Sequence, residues 1–332
     1  MSRLVSTILV ALFSLSACGS SGAVQPSVTA AGKPVSASAS VKPSLGNVTV
    51  SIPAQSLSQF PLMVGKTAGI FERHGINLTI SQMKTDAAIA AAISGDAAYS
   101  TPAGSLIRAI GQGAPLRLIA TVMDKSNHLM LVNPKTVPSA KDLAGKRVAV
   151  NALADNTQLE AEAVFTHFGA DKKSATFVVM PDDGPKVAAL QAGSVDAAIV
   201  TIPWNFKGEE LGLRVQANLA DVLALPTSVL ATATQNIASR PAAVQAMVDA
   251  TLEATSYTRQ NKAEVVRQIA KFYELPDQQA EKAFDLSKDA WSATGVLSKE
   301  AFDNAAAPLN LNPPLALDKA WDPQFVQRSG VK

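Results

Sequence analysis

The stretch Gly95-Asp96-Ala97-Ala98-Tyr99-Ser100-Thr101-Pro102 has a counterpart further on, Gly193-Ser194-Val195-Asp196-Ala197-Ala198-Ile199-Val200-Thr201-Ile202-Pro203. In each, a glycine closes a helix, Asp-Ala-Ala leads into a strand, and a Thr precedes a Pro at the strand's exit. Glycine suits the left-handed backbone of a helix C-terminus, and the run of small and β-branched residues after it suits a buried strand. The two copies hold equivalent places in two successive runs of strands and helices, which predicts two related α/β lobes.

Working outward from the first copy, Val48, Val50 and Ile52 alternate with polar residues at the period of a half-buried strand. Residues 61–71 follow as a helix with Pro61 in its first turn. His74-Gly75 makes a turn, 76–80 alternates again, 86–94 is an Ala-rich helix, and Pro102-Ala103-Gly104 opens a helix running to Ile110. Around the second copy, Ser139-Ala140-Lys141-Asp142 resembles a capping box. After it come a strand at Arg147–Val150, a helix at 157–168, a strand at 177–180, a helix at 186–192 and a strand at Ala197–Thr201. Strands alternating with helices imply mostly parallel sheets. The remainder reads as helical. Ser239 is placed to cap a helix with Pro241 in its first turn, and Val244, Met247, Val248 and Leu252 fall on one face. Further helices are predicted at 263–273, 277–286 and Lys299–Ala306, packing back on the first lobe. Residues 308–332, with Pro313-Pro314, read as extended chain over the surface.

The N-terminus speaks to location. Arg3 precedes an apolar run from Leu4 to Leu15, about a dozen residues where a membrane-spanning helix needs roughly 20. It reads as the core of a secretory signal peptide over 1–17. Leu15-Ser16-Ala17-Cys18 resembles the lipobox of bacterial lipoproteins, in which the cysteine is lipidated and the chain is cut just before it. Cys18 is the single cysteine, so no internal disulfide forms and the fold rests on its core. From Gly19 to Asn47 the chain is Ser, Ala, Gly, Pro and Val with two lysines and no acids, the composition of a tether. The expected location is the periplasm or cell surface, anchored to the membrane through Cys18.

The 332 residues are 47% hydrophobic with a net charge of +2, ample for two lobes and without the clustered basic residues of a nucleic-acid surface. Catalytic patterns are missing. His74, His128 and His167 stand far apart, which gives no metal-ligand spacing. No Gly-x-Ser-x-Gly elbow occurs, and Gly111-Gln112-Gly113 is too short for a dinucleotide loop.

Three motifs carry a family resemblance. Gly65-Lys66-Thr67-Ala68-Gly69-Ile70-Phe71-Glu72-Arg73-His74-Gly75-Ile76-Asn77-Leu78-Thr79-Ile80, then Asp142-Leu143-Ala144-Gly145-Lys146-Arg147-Val148-Ala149-Val150, then Ala188-Ala189-Leu190-Gln191-Ala192-Gly193-Ser194-Val195-Asp196-Ala197-Ala198, occur in the order found in periplasmic-type solute-binding proteins of the nitrate, sulfonate, taurine and pyrimidine group. The resemblance covers roughly residues 48–286. It implies a two-lobed periplasmic-binding-protein type II clamp, each lobe a mixed, mostly parallel sheet flanked by helices. The first lobe would be 48–127 plus 225–332 and the second 128–224, with crossings near 122–131 and 220–231. It further implies a monomer without cofactor or metal that hands a small-molecule solute to an ABC permease and its ATPase. A pyrimidine synthase also looks like this group, but it carries a cysteine cluster and works in the cytoplasm. A sensor lipoprotein presenting its ligand to a receptor would use the same clamp.

In open α/β sheets ligands bind beyond the carboxyl ends of strands, where helix N-termini offer free N–H groups to anions. The loops 56–60, 101–105, 153–157 and 201–205 lie at such positions. They supply Ser58, Gln59, Thr101, Ser105, Asn156 and Thr157 as neutral hydrogen-bonding candidates, and Phe60 and Trp204 as apolar or stacking walls. The competing role for Ser, Thr and Asn is helix capping; for Trp204 it is burial between the lobes. None of the four loops holds an Arg or Lys, while Lys125 and His128 lie near the first crossing. The expected ligand is a small organic anion (sulfonate, taurine, nitrate or carboxylate-like). The alternative is an uncharged or aromatic solute such as a pyrimidine.

Overall fold

A computed structural model describes residues 45–53, 55–153 and 155–331. The predicted signal sequence, Cys18 and all of the tether before residue 45 lie outside the described residues.

The first strand, β1 (Gly46–Ile52), starts two residues ahead of the predicted Val48 and buries its last three residues. The helix predicted over 61–71 is two: α1 (Phe60–Thr67) and α2 (Ile70–Arg73), separated at Gly69, whose φ of 66° no helix interior accommodates. Then come β2 (Ile76–Gln82), α3 (Thr85–Ser94), β3 (Tyr99–Pro102), α4 (Ala103–Gly111) and β4 (Leu116–Met123). Burial of Ala103, Leu106, Ile107 and Ile110 in α4 follows the helical period. The chain then passes through 124–127 to a second sheet with β5 (His128–Val132), β6 (Arg147–Val150), α5 (Asn156–His167), β7 (Thr176–Val179), α6 (Asp183–Ala192), β8 (Ala197–Thr201), α7 (Trp204–Glu210) and β9 (Arg214–Asn218). It returns through 219–227 to β10 (Ser228–Ala233).

The two sheets share one plan. The first runs β2-β1-β3-β10-β4 and the second β7-β6-β8-β5-β9. In each, three neighbouring strands pair in parallel and a strand entered from the other lobe is inserted antiparallel. The repeated sequences fall on β3 and β8, the middle strand of each sheet. Their closing glycines, Gly95 and Gly193, have φ of 91° and 72°. Aliphatic clusters fill both faces of each sheet. The protein is a two-lobed α/β clamp with the periplasmic-binding-protein fold.

The C-terminal third contains α8 (Thr234–Ser239), α9 (Pro241–Gln260), α10 (Lys262–Tyr273), α11 (Asp277–Ser287), α12 (Lys299–Ala306), α13 (Leu317–Ala320) and α14 (Gln324–Arg328). Ser239 does not cap α9. It ends α8, and its hydroxyl donates back to Gln235 O at 2.7 Å. Nor do α10 and α11 rest on the first lobe alone. Val265, Ile269 and Phe284 share a cluster with Phe60 of the first lobe and with Leu129, Ile202 and Phe206 of the second. Gln279 also donates to Glu210 Oε1 on α7 at 2.9 Å. Residues 308–331 fold back rather than trail. Ala320, Trp321 and Phe325 are buried, and Trp321 bridges to Leu118 on β4.

Candidate functional site

The strands of both sheets end at a cleft of about 600 Å³. The first lobe lines it with the loop after β1 and the first turns of α3 and α4; the second lines it with the strand end at Asn151 and the first turns of α5, α6 and α7. Asn127 and Thr227, on the two passages between lobes, and His128, which opens β5, also line it, as do Tyr273 of α10 and Pro308 and Leu309 of the C-terminal segment. Both lobes and both passages therefore meet one cavity.

Five of the residues singled out from sequence line the cleft: Ser58, Gln59, Ser105, Asn156 and Trp204. Ser58 and Gln59 are buried and mutually tied. Gln59 Nε2 donates to Ser58 Oγ at 3.4 Å, and Gln59 Oε1 accepts from Ser228 Oγ at 3.1 Å. Trp204 is 41% exposed, and its ring lies 3.3 Å from where a Cβ on Gly184 would stand. It therefore covers the first turn of α6 instead of being buried between lobes. Asn156 reaches the opposite lobe: its Oδ1 lies 2.6 Å from the Cβ position of Gly104.

The other three are turned elsewhere. Phe60 begins α1 rather than ending the preceding loop, so its ring enters the core and stacks on Tyr273 with centroids 6.5 Å apart. Thr101 is fully buried and donates to Ser51 O at 3.3 Å. The Thr157 hydroxyl donates to Asp155 Oδ1 at 2.7 Å and accepts from Asn151 N at 2.8 Å, which is work at a helix start.

Four further lining groups have the chemistry of a binding site. Arg108 brings a guanidinium from the second turn of α4, outside the loop where a cation was sought. Asn127 is 1% exposed, and neither its Oδ1 nor its Nδ2 has a hydrogen-bond partner among the described residues. The Tyr273 hydroxyl is also buried without a partner among them, and burial pushes its pKa up, so it stays protonated and able to donate. His128 Nδ1 lies 2.6 Å from Oε2 of buried Glu160. Burial alone would lower the pKa of His128. The charge and hydrogen bond of Glu160, helped by Asp183 and opposed by Lys186, outweigh it and raise the pKa. A polar pair opening the apolar strand Leu129–Val132 was the sequence signal for Asn127 and His128. Tyr273, far along the chain, gave none.

One buried cation is already committed. Lys186 Nζ donates to Asp183 Oδ1 at 2.9 Å, to Ile199 O at 2.7 Å and to Asn151 Oδ1, while Asp183 Oδ2 accepts from Thr201 N at 3.0 Å. This pair fastens α6 to the ends of β6 and β8. Among the described residues no group of three or more His, Cys, Asp or Glu is placed to hold a metal ion.

The family model described as NMT1/THI5 like matches residues 57–265. Among solved structures, a putative periplasmic sulfonate-binding protein SsuA from Methylobacillus flagellatus KT is 18% identical with a TM-score of 0.69, covering 86% of this chain and 94% of its own. The alkanesulfonate-binding protein SsuA from Xanthomonas axonopodis pv. citri, solved bound to MOPS, is 18% identical with a TM-score of 0.66, covering 84% and 99%. The desulfurization enzyme DSZB is 18% identical with a TM-score of 0.64, covering 85% and 98%; a cysteine-to-serine mutant of it was solved with biphenyl-2-sulfinic acid. No curated protein sequence matches the chain.

Proposed function

The chain belongs to the NMT1/THI5-like family, and from that premise we propose that it is the solute-capturing component of an ABC importer. It closes its two lobes on a small organic anion and is held outside the cytoplasm by a lipid on Cys18. The observation that carries this reading is the shared cleft at the carboxyl ends of both sheets, where helix N-termini of both lobes converge. Binding there lowers the free energy of the closed clamp relative to the open one, and the closed clamp is what a permease can recognise.

Several features favour an organic anion over a bare inorganic one. The cavity is far larger than nitrate, and Trp204, Leu159, Pro308 and Leu309 give it apolar walls beside Arg108 and the α4 N-terminus. Relatives named for sulfonates point the same way. The exposed face of Trp204 favours a solute with an aromatic or other flat apolar part, and a pyrimidine would use the same wall. Capture rather than catalysis is the reading of the site. DSZB shows that the fold can carry an enzyme, but no cysteine is among the described residues that line this cleft, and the chain's single cysteine is Cys18.

The test is a thermal-melting screen against alkanesulfonates, arylalkanesulfonates, taurine, nitrate, aromatic carboxylates and pyrimidines, in buffers free of sulfonates. A ligand at about 100 times its Kd adds roughly 2.7 kcal/mol to stability. A sulfonate hit supports the proposal; a hit confined to pyrimidines replaces the anion with the neutral ligand; a flat panel, with no copurified solute in native mass spectrometry, defeats it.

A further inference from the structure

Where the first passage between the lobes meets β5, two polar residues keep hydrogen-bonding atoms that the fold does not use up. The Asn127 side chain lines the cleft, is almost wholly buried, and has both amide atoms unpartnered among the described residues. An unpaired buried amide is unfavourable, so the site is built for a partner that arrives with the ligand. His128, next in the chain, also lines the cleft. Its Nδ1 is fixed on Glu160 of α5 at 2.6 Å, and Nε2 has no partner among the described residues.

That arrangement decides what the ring can offer. The Glu160 carboxylate accepts, so Nδ1 carries a proton whether the ring is neutral or charged. Titration therefore acts at Nε2 alone: it is an acceptor in the neutral ring and a donor in the imidazolium. Besides Glu160, the charged groups that act on the ring are Asp183 and Lys186 of α6, which are paired with each other.

Resting on the solute-capture reading, we propose that Asn127 Nδ2 and His128 Nε2 together grip the anionic head of the solute, and that the His128 ring must be protonated to do so. Solute binding is then coupled to uptake of a proton by His128. The charge and hydrogen bond of Glu160 raise the pKa of the ring against its burial and so favour the charged form, before ligand adds its own stabilisation. The sign follows. Affinity for an anion is full at pH values below the pKa of His128 in the free protein, and falls as pH rises through it by up to tenfold per unit.

The test uses 2-phenylethanesulfonate, which stays ionised across the range, titrated calorimetrically into the full chain between pH 5 and 9. Comparison of phosphate with Tris at one pH counts the protons taken up. The expected result is a plateau at low pH, a fall above it, and uptake approaching one proton per ligand on the falling limb. H128Q should flatten the profile, and N127D, which sets a carboxylate against the head, should weaken binding at least tenfold with little change in melting. Binding that is independent of pH, rises with pH or takes up no proton overturns the coupling while leaving the capture reading in place. The wild-type data decide this even if a variant fails to fold. Undiminished binding by N127D removes Asn127 from the site. Absence of binding by this probe and by every member of the melting panel overturns the capture reading itself, and this inference with it.

Discussion

In the first lobe α4 meets the cleft behind Pro102, which has no side-chain group to cap it. In the second, α5 meets it behind Asp155, whose carboxylate accepts from Gln158 N at 3.0 Å, and α6 carries Asp183 in its first turn. Free N–H groups and a helix dipole attract anions, yet the second lobe has placed its own acids at these ends. The contrast teaches that two sheets of one topology need not bring the same chemistry to a shared cavity. The first lobe keeps an open helix end and adds Arg108. The second uses its carboxylates for its own fold and adds a stacking wall, Trp204, and the His128 pair.

The largest effect should come from breaking the second lobe's internal pairing. Lys186→Met removes the cation from a buried pair and leaves Asp183 uncompensated, a loss of about 3–5 kcal/mol. A drop of roughly 10 °C in melting temperature is expected; a change of a degree or two would mean the pair is not structural. Next, Trp204→Ala should weaken binding of an arylalkanesulfonate about tenfold, or about 1.4 kcal/mol, with melting of the free protein nearly unchanged; equal affinity by calorimetry would remove the ring from the site. Asp155→Ala sharpens the contrast between lobes directly. Loss of the α5 cap should lower stability by about 1 kcal/mol, while affinity for an anion holds or improves. Weakened binding would make Asp155 a ligand contact and undo the distinction. The smallest effect is expected for Gly104→Ala, whose new Cβ meets only the far end of Asn156 across the cleft. Asn156 should swing aside and cost a few-fold in affinity, readable in the same titration.

The clamp was legible because its signals are local. Alternation at Val48, Val50 and Ile52 and the repeat around Gly95 and Gly193 each follow from backbone periodicity and glycine's freedom at positive φ. The site was legible only at the loops. Ser58, Gln59, Ser105, Asn156 and Trp204 reach the cleft because strand ends deliver them there. Phe60 and Thr157 misled because a shift of one residue in a helix start decides whether a side chain faces the cavity or serves the core and cap. Arg108, one turn inside a helix, and Tyr273, brought in from α10, depend on tertiary packing that no local pattern encodes. The same holds for the tail after Pro308. Pro313-Pro314 suggested extended chain over the surface, but Trp321 and Phe325 found a buried place beside β4.

Most direct of all is a calorimetric titration of 2-phenylethanesulfonate into the wild-type protein near pH 6. The account predicts saturable one-to-one binding that Trp204→Ala weakens about tenfold. No binding by this or any other anion in the melting panel, from protein shown to be free of copurified solute, would contradict it.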